Sequence, residues 1–272
     1  MRRAAVVVLV ALLAAAPASA GPISGKRAKA YVAKLAAAGP RPAGSANERR
    51  AAGLVAKRLK ALGYVVQIQT FRLPNGRTSR NVVGRTTWRT RALVGAHMDG
   101  VRAGPAANDN GSGLAALLEV ASALRGRPGV LVAALGAEER VVTGSSIHLG
   151  SRRLMSGFTR KARGRIRVAL VMDMVGFGTR LHVRGLEASP NRSSRNALAR
   201  AKALGFRATY LRDPSGQSDH AEMTRAGLPA GWLEWREDPC WHSACDRAGR
   251  VKGWKIAQAA QIVAAAAKRS LG

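Results

Sequence analysis

Apolar and polar positions along the chain change period several times, and each change marks an element. Residues 26–38 read as a short helix, broken at Gly39-Pro40-Arg41-Pro42. A second helix spans residues 46–62, with Ala51, Leu54, Val55, Leu59 and Leu62 on one face and Gly63 as its stop. Residues 64–71 alternate as a strand does. Pro74-Asn75-Gly76 then supplies a turn into a second strand near residues 80–85.

Beyond this point the pattern becomes short apolar runs separated by helical stretches. Strands are predicted at 92–96, 129–135, 167–172 and 230–235, and helices at 114–124, 196–204 and 251–267. Near-continuous apolar strands alternating with helices predict an α/β fold. The expected form is a three-layer α/β/α sandwich around a central mixed, mostly parallel sheet. In such folds the ligand crevice lies beyond the carboxyl ends of the strands.

The first 20 residues stand apart. Arg2 and Arg3 precede an apolar core over residues 4–16, and Ala18-Ser19-Ala20 has the small-x-small form of a cleavage site. This is a secretory signal pattern, and its core falls short of the roughly 20 residues that span a bilayer. Residues 21–272 are therefore expected to be one exported domain, without a transmembrane segment and monomeric. Export also permits a disulfide between Cys240 and Cys245, the only two cysteines.

The charge balance is lopsided, with 45 Lys and Arg against 15 Asp and Glu and a formal net charge of +30. Specific nucleic-acid binding is not expected. Only 4% of residues are aromatic, and no helix-turn-helix, zinc-finger or RNA-binding signature is present. Electrostatic association with an anionic cell envelope fits the excess better.

Against this basic background the acidic residues cluster at the predicted strand ends. His97 and Asp99 follow the strand at 92–96, Glu138 and Glu139 follow 129–135, and Asp173 follows 167–172. Asp109 precedes a helix, and His242 lies on the loop after the last strand. Singly, each has an ordinary explanation, such as a helix cap or a hydrogen-bonded core histidine. Jointly, converging carboxylates repel one another and are driven towards protonation unless a cation neutralises them. Imidazoles with carboxylates are the ligand mix of zinc or a similar divalent ion. Three ionised carboxylates supply −3 against +4 from two such ions, and one bridging hydroxide closes the balance, so the arithmetic favours two metals over one.

The order of these motifs resembles the zinc aminopeptidases of peptidase family M28. The resemblance rests on Gly39-Pro40-Arg41-Pro42-Ala43-Gly44-Ser45, His97 with Asp99, Asp109 before Asn110-Gly111-Ser112-Gly113, and Glu138-Glu139 with Gly144-Ser145. It continues through Asp173-Met174-Val175-Gly176, Ser218-Asp219-His220, and His242 with Asp246. The resemblance implies two Zn2+ ions bridged by Asp109, one completed by His97 and Asp173 and the other by Glu139 and His242. It implies Glu138 as general base and Asp99 as a partner orienting His97. It also implies a cis peptide at Asp109–Asn110, and substrate contacts from Ser218, Asp219, His220 and Trp241. Trp241 stands where many members carry tyrosine, Ala244 where proline is frequent, and Arg140 where smaller or neutral residues are usual. These departures bear on rate and substrate preference more than on metal binding.

The expected activity is removal of N-terminal residues from peptides. Glutaminyl-peptide cyclisation on a single zinc is the nearest rival, because related cyclases share most of the ligand set. Dipeptidase or carboxypeptidase activity, or a non-catalytic envelope-binding role, are further alternatives.

Overall fold

The computed structural model of the chain describes residues 21–141 and 147–272. The expected leader over residues 1–20 and the Gly144-Ser145 pair lie outside the described residues. Helices α1 (Gly25–Ala36) and α2 (Ala46–Ala61) come first, each opened by a serine cap. Ser24 Oγ accepts from Arg27 N–H, and Ser45 Oγ accepts from Glu48 N–H. Strands β1 (Val65–Arg72) and β2 (Thr78–Arg85) form the antiparallel hairpin that Pro74-Asn75-Gly76 announces.

The buried strands β3 (Ala92–His97), β4 (Val130–Leu135), β5 (Val168–Met172) and β8 (Ala230–Arg236) pair in parallel in the order β4-β3-β5-β8. The hairpin joins antiparallel at β4, and β6 (Arg180–Gly185) joins antiparallel at β8 with β7 (Thr209–Arg212) parallel beyond it. The eight-stranded sheet is thus mixed, with four of its seven neighbouring pairs parallel.

Strand alternation divides the apolar side chains between two cores. Val82, Val94, Val132 and Leu170 pack on one face with α1, α2, α3 (Gly113–Leu124), α6 (Arg192–Ala203) and α8 (Gly253–Leu271). Val83, Leu93, Leu131 and Val171 pack on the other with α4 (Leu149–Ser156) and α7 (His220–Arg225). That is the expected three-layer arrangement. Helix α3 is buried at every position, because the sheet, α1 and α8 enclose it. Each of its buried leucines contributes about 1.5–3 kcal/mol by leaving water.

Five elements were not predicted from the sequence, among them the five-residue helix α5 (Arg160–Gly164). β6 and β7 are polar-rich strands at the sheet margin, and β7 has only four residues. Helices α4 and α7 have eight and six residues, too few to show a helical period. Helix α6 starts at Arg192 rather than 196, because Asn191 Oδ1 caps it by accepting from Ser194 N–H.

Candidate metal centre

Parallel register brings the acidic residues to one edge. His97 pairs with Leu135, so the chains leaving β3 and β4 start level. Asp99 then reaches the turn after β4 and accepts two amides, Glu138 N–H on Oδ1 and Glu139 N–H on Oδ2, both at 3.0 Å. Gly136, just before this turn, permits the close approach of β2: a Cβ there would lie 2.4 Å from Arg80 O. Asp99 had been expected to orient His97. Its backbone carbonyl does so, 3.2 Å from Nδ1, while its carboxylate sits 3.6 Å from that nitrogen and serves the glutamate turn.

Asp109 lies in the wide turn Ala107–Ser112, and the Asp109–Asn110 peptide is cis, as the resemblance implied. The turn is held from several sides. Asp246 accepts from Asn108 N–H and Asp109 N–H at 2.7 and 3.0 Å. Asn110 donates to Met172 O and accepts from Gly113 N–H, and Asn108 accepts from Gly176 N–H. The segment after β5 and the segment before α3 thereby position each other.

The result is a shared carboxylate. Asp109 Oδ1 lies 3.2 Å from His97 Nε2, and Asp109 Oδ2 lies 3.2 Å from His242 Nε2. Asp173 Oδ1 is 3.3 Å from His97 Nε2, and Glu139 Oε1 is 3.0 Å from His242 Nε2. Two donor sets follow, His97–Asp109–Asp173 and Asp109–Glu139–His242, each with its ligand atoms within 4.8 Å of one another. All five residues expected as ligands come together, and Asp109 belongs to both sets. Ser218 Oγ donates to Asp173 Oδ2 at 2.8 Å, fixing the carboxylate from behind.

Electrostatics test whether a cation fits. Burial pushes the Glu138 carboxyl well up, and the Glu139, Asp173 and Asp219 charges add to it. Burial with the Asp109 charge lifts Glu139 to about 7. Burial alone would lower both imidazoles, yet the carboxylates outweigh it: Asp173 and Glu138 raise His97, and Asp109 and Glu139 raise His242 to about 10. Burial likewise opposes ionisation of Asp109, but the His242 and His97 contacts hold it below its ordinary value. His97, His242, Glu138 and Glu139 are thus all shifted towards their protonated forms, which is the behaviour of a site built around cations. Nitrogen and carboxylate donors in these sets suit zinc.

Glu138 lies beside the donor sets, its Oε2 3.9 Å from His97 Nε2. Its Oε1 is 3.2 Å from Nε2 of buried His148, a residue the sequence reading missed because it follows no predicted strand. The centre opens into a pocket of about 290 Å3 whose further walls include Met174, Arg184, Gln217, Trp232, Glu234 and Trp241. Trp241 lines it and stacks on His242 with ring centroids 4.2 Å apart. The Cys240–Cys245 disulfide is present and closes the loop carrying both residues.

Ser218, Asp219 and His220 are fully buried, and none is among the residues that line this pocket. Their segment runs beneath the centre, where Ser218 holds Asp173, and only Gln217 reaches the cavity. Arg184 and Glu234 also escaped the sequence reading. They form a buried pair at 2.7 Å, with the guanidinium 4.1 Å from the Trp232 ring centroid.

The comparisons with known proteins agree with this architecture. Aminopeptidase YwaD of Bacillus subtilis is 29% identical over 207 residues, covering 70% of this chain and 44% of its own. The chain spans less than half the length of the curated relatives it matches. Among solved structures, BSAP, a zinc aminopeptidase from Bacillus subtilis, superposes with a TM-score of 0.83 at 20% identity, over 91% of this chain and 95% of that one. A Bacteroides thetaiotaomicron glutaminyl cyclase superposes with a TM-score of 0.78 at 21% identity, over 91% and 98%. The sequence pattern of peptidase family M28 matches residues 81–267, which holds every residue of both donor sets, and the chain belongs to that family.

Proposed function

We propose that this chain is an exported aminopeptidase that holds two zinc ions and removes N-terminal residues from peptides. One observation carries the two-ion reading: Asp109 divides its oxygens between His97 and His242, giving two donor sets that share a single carboxylate. His97 and Asp173 would complete one set, and Glu139 and His242 the other. Zinc bound there supplies Lewis-acid polarisation of the scissile carbonyl and a lowered pKa for water.

The chain's own residues perform the proton transfer. Glu138 takes a proton from the water that attacks the carbonyl carbon, then delivers it to the amine nitrogen as the C–N bond breaks. Its buried setting, which raises the carboxyl, lets it hold that proton until the amine leaves. Asp99 positions Glu138 and Glu139 through their amides, and Ser218 and Asp246 position Asp173 and Asp109. The relatives' names support the aminopeptidase direction. The pattern of residues 1–20 supports export, and no described helix is long and apolar enough to cross a membrane.

Cyclisation of N-terminal glutamine is the second reading, kept because glutaminyl cyclases share the fold. A single panel separates the two: aminoacyl anilides, their N-acetylated forms and glutaminyl peptides, each with and without chelator. Aminopeptidase activity predicts chelator-sensitive cleavage of the free-amine anilides only. Release of ammonia from glutaminyl peptides without loss of a residue would favour the cyclase instead.

A further inference from the structure

The end of the sheet opposite the metal centre carries a second concentration of charge, of the other sign. Arg89, Arg91, Arg165, Arg167 and Arg192 line a cavity of about 370 Å3 there, with Thr90 and Gly164 and no carboxylate. Three connections bring them together: the loop between β2 and β3, the segment from α5 (Arg160–Gly164) into β5, and the first residue of α6. Arg167 N–H donates to Arg91 O at 2.8 Å, which fixes two of these entries side by side. Arg167 and Arg192 also line the adjoining cavity, which adds Arg269.

All five arginines are exposed, and none of the described arginine ion pairs involves them. Ten of the fifteen acidic residues are buried, so little negative charge remains on the surface to offset them. The same loop holds Trp88, exposed to 81%, more than any other large hydrophobic residue described. Arg85 lies 5.6 Å from its ring centroid, and Val65, which pairs with Arg85 across the hairpin, is 62% exposed.

We infer that this end of the molecule docks on an anionic lipid surface, with the arginines against the headgroups and Trp88 in the interfacial layer. Charge complementarity supplies the attraction, at about fivefold in affinity for each basic residue near such a surface. An exposed tryptophan among arginines fits the boundary between water and acyl chain, where an indole buries its ring and keeps its N–H solvated. A nucleic acid would use the charge but leaves Trp88 and Val65 without a role. The geometry has a consequence for the enzyme. β3 runs from Ala92 at the arginine end to His97 at the metal centre, about 16 Å at strand rise, so docking leaves the pocket facing away from the membrane.

The test is co-sedimentation of the chain from Gly21, which carries every described element, with vesicles of phosphatidylcholine alone or with about one third phosphatidylglycerol. The expected result is binding to the anionic vesicles only, weakening as salt rises. R89Q/R91Q/R165Q/R167Q should weaken it at least about tenfold. The control R49Q/R50Q/K57Q/K60Q removes the same charge from exposed residues of α2 and should cost less than about threefold. W88A should lower the binding that survives at high salt. Circular dichroism and thermal unfolding check that each variant folds; if the fourfold variant does not, R89Q/R91Q and W88A carry the same test. Equal loss in both fourfold variants, absence of binding to anionic vesicles, or patch-dependent binding to DNA with none to vesicles would overturn the inference.

Discussion

Asp99 accepts the amide hydrogen of Glu138 at 3.0 Å, and its second oxygen takes that of the next residue, Glu139, at the same distance. One buried carboxylate therefore fixes the backbone from which two others project. Adjacent residues leaving a strand diverge, so Glu139 reaches the His242 donor set while Glu138 lies by His97.

Asp99→Asn tests that arrangement. The amide keeps one acceptor and turns an N–H2 group against a backbone N–H. Supporting partners of this kind typically cost about 10–100-fold when removed. We expect kcat to fall by that factor, with the five donor residues intact and circular dichroism unchanged. Unaltered turnover would show that the glutamate turn holds its shape without Asp99.

Glu138 and Glu139 should fail in different ways. Glu138→Gln removes the proton carrier and should lower kcat by about 10²–10⁴-fold while bound zinc, measured by mass spectrometry of the metal, stays at the wild-type level. Glu139→Ala should lower zinc content first, with activity falling in proportion. If both variants lost metal equally, the proposed division of roles would not stand.

Metal stoichiometry follows from the shared carboxylate. Wild-type protein should bind two zinc ions per chain, and chelation should abolish hydrolysis until zinc is restored. Asp109→Ala removes a donor from both sets and should lose both ions, whereas His242→Ala should spare the His97 set. A wild-type chain saturating at one ion would favour the single-zinc alternative.

Stability of the metal-free protein should depend on pH in a defined direction. Burial holds Glu48 and Glu139 at about 7 and Asp246 at about 6, all above their ordinary carboxylate values. His242, with Asp109 and Glu139 against it, is raised to about 10 despite burial. Groups raised in the folded state contribute stability that is present below their unfolded pKa and lost as pH rises through the folded one. Asp109 is shifted the other way, but its window lies below the ordinary Asp range. His148 and His220, lowered by burial to about 4 and about 3, add stability as pH rises to 6.5, their ordinary value, and offset the loss up to there. The Tm of chelated protein should therefore drop between about pH 6.5 and pH 8. Zinc should restore it most at pH 8, where protons no longer neutralise the donors. A Tm that rises across this window without metal would contradict these shifts.

Sequence by itself determined the class of fold and the composition of the donor sets. Apolar runs of strand length, separated by helical stretches, predict a sheet covered on both faces, because fully buried strands have no polar face to show. His97, Asp109, Glu139, Asp173 and His242 were legible as candidates because carboxylates and imidazoles gathered at the strand ends and the loops beyond them, in a chain short of acid, need a cation to coexist. Tertiary structure alone decided what surrounds them. Asp99 serves the glutamate amides because parallel register sets β3 and β4 level, and no local pattern encodes register. Ser218, Asp219 and His220 turn beneath the centre, and His148 comes to Glu138, through packing of short helices that lack a readable period. The arginines that meet opposite the pocket are scattered in sequence, and only the common end of the strands gathers them into one surface.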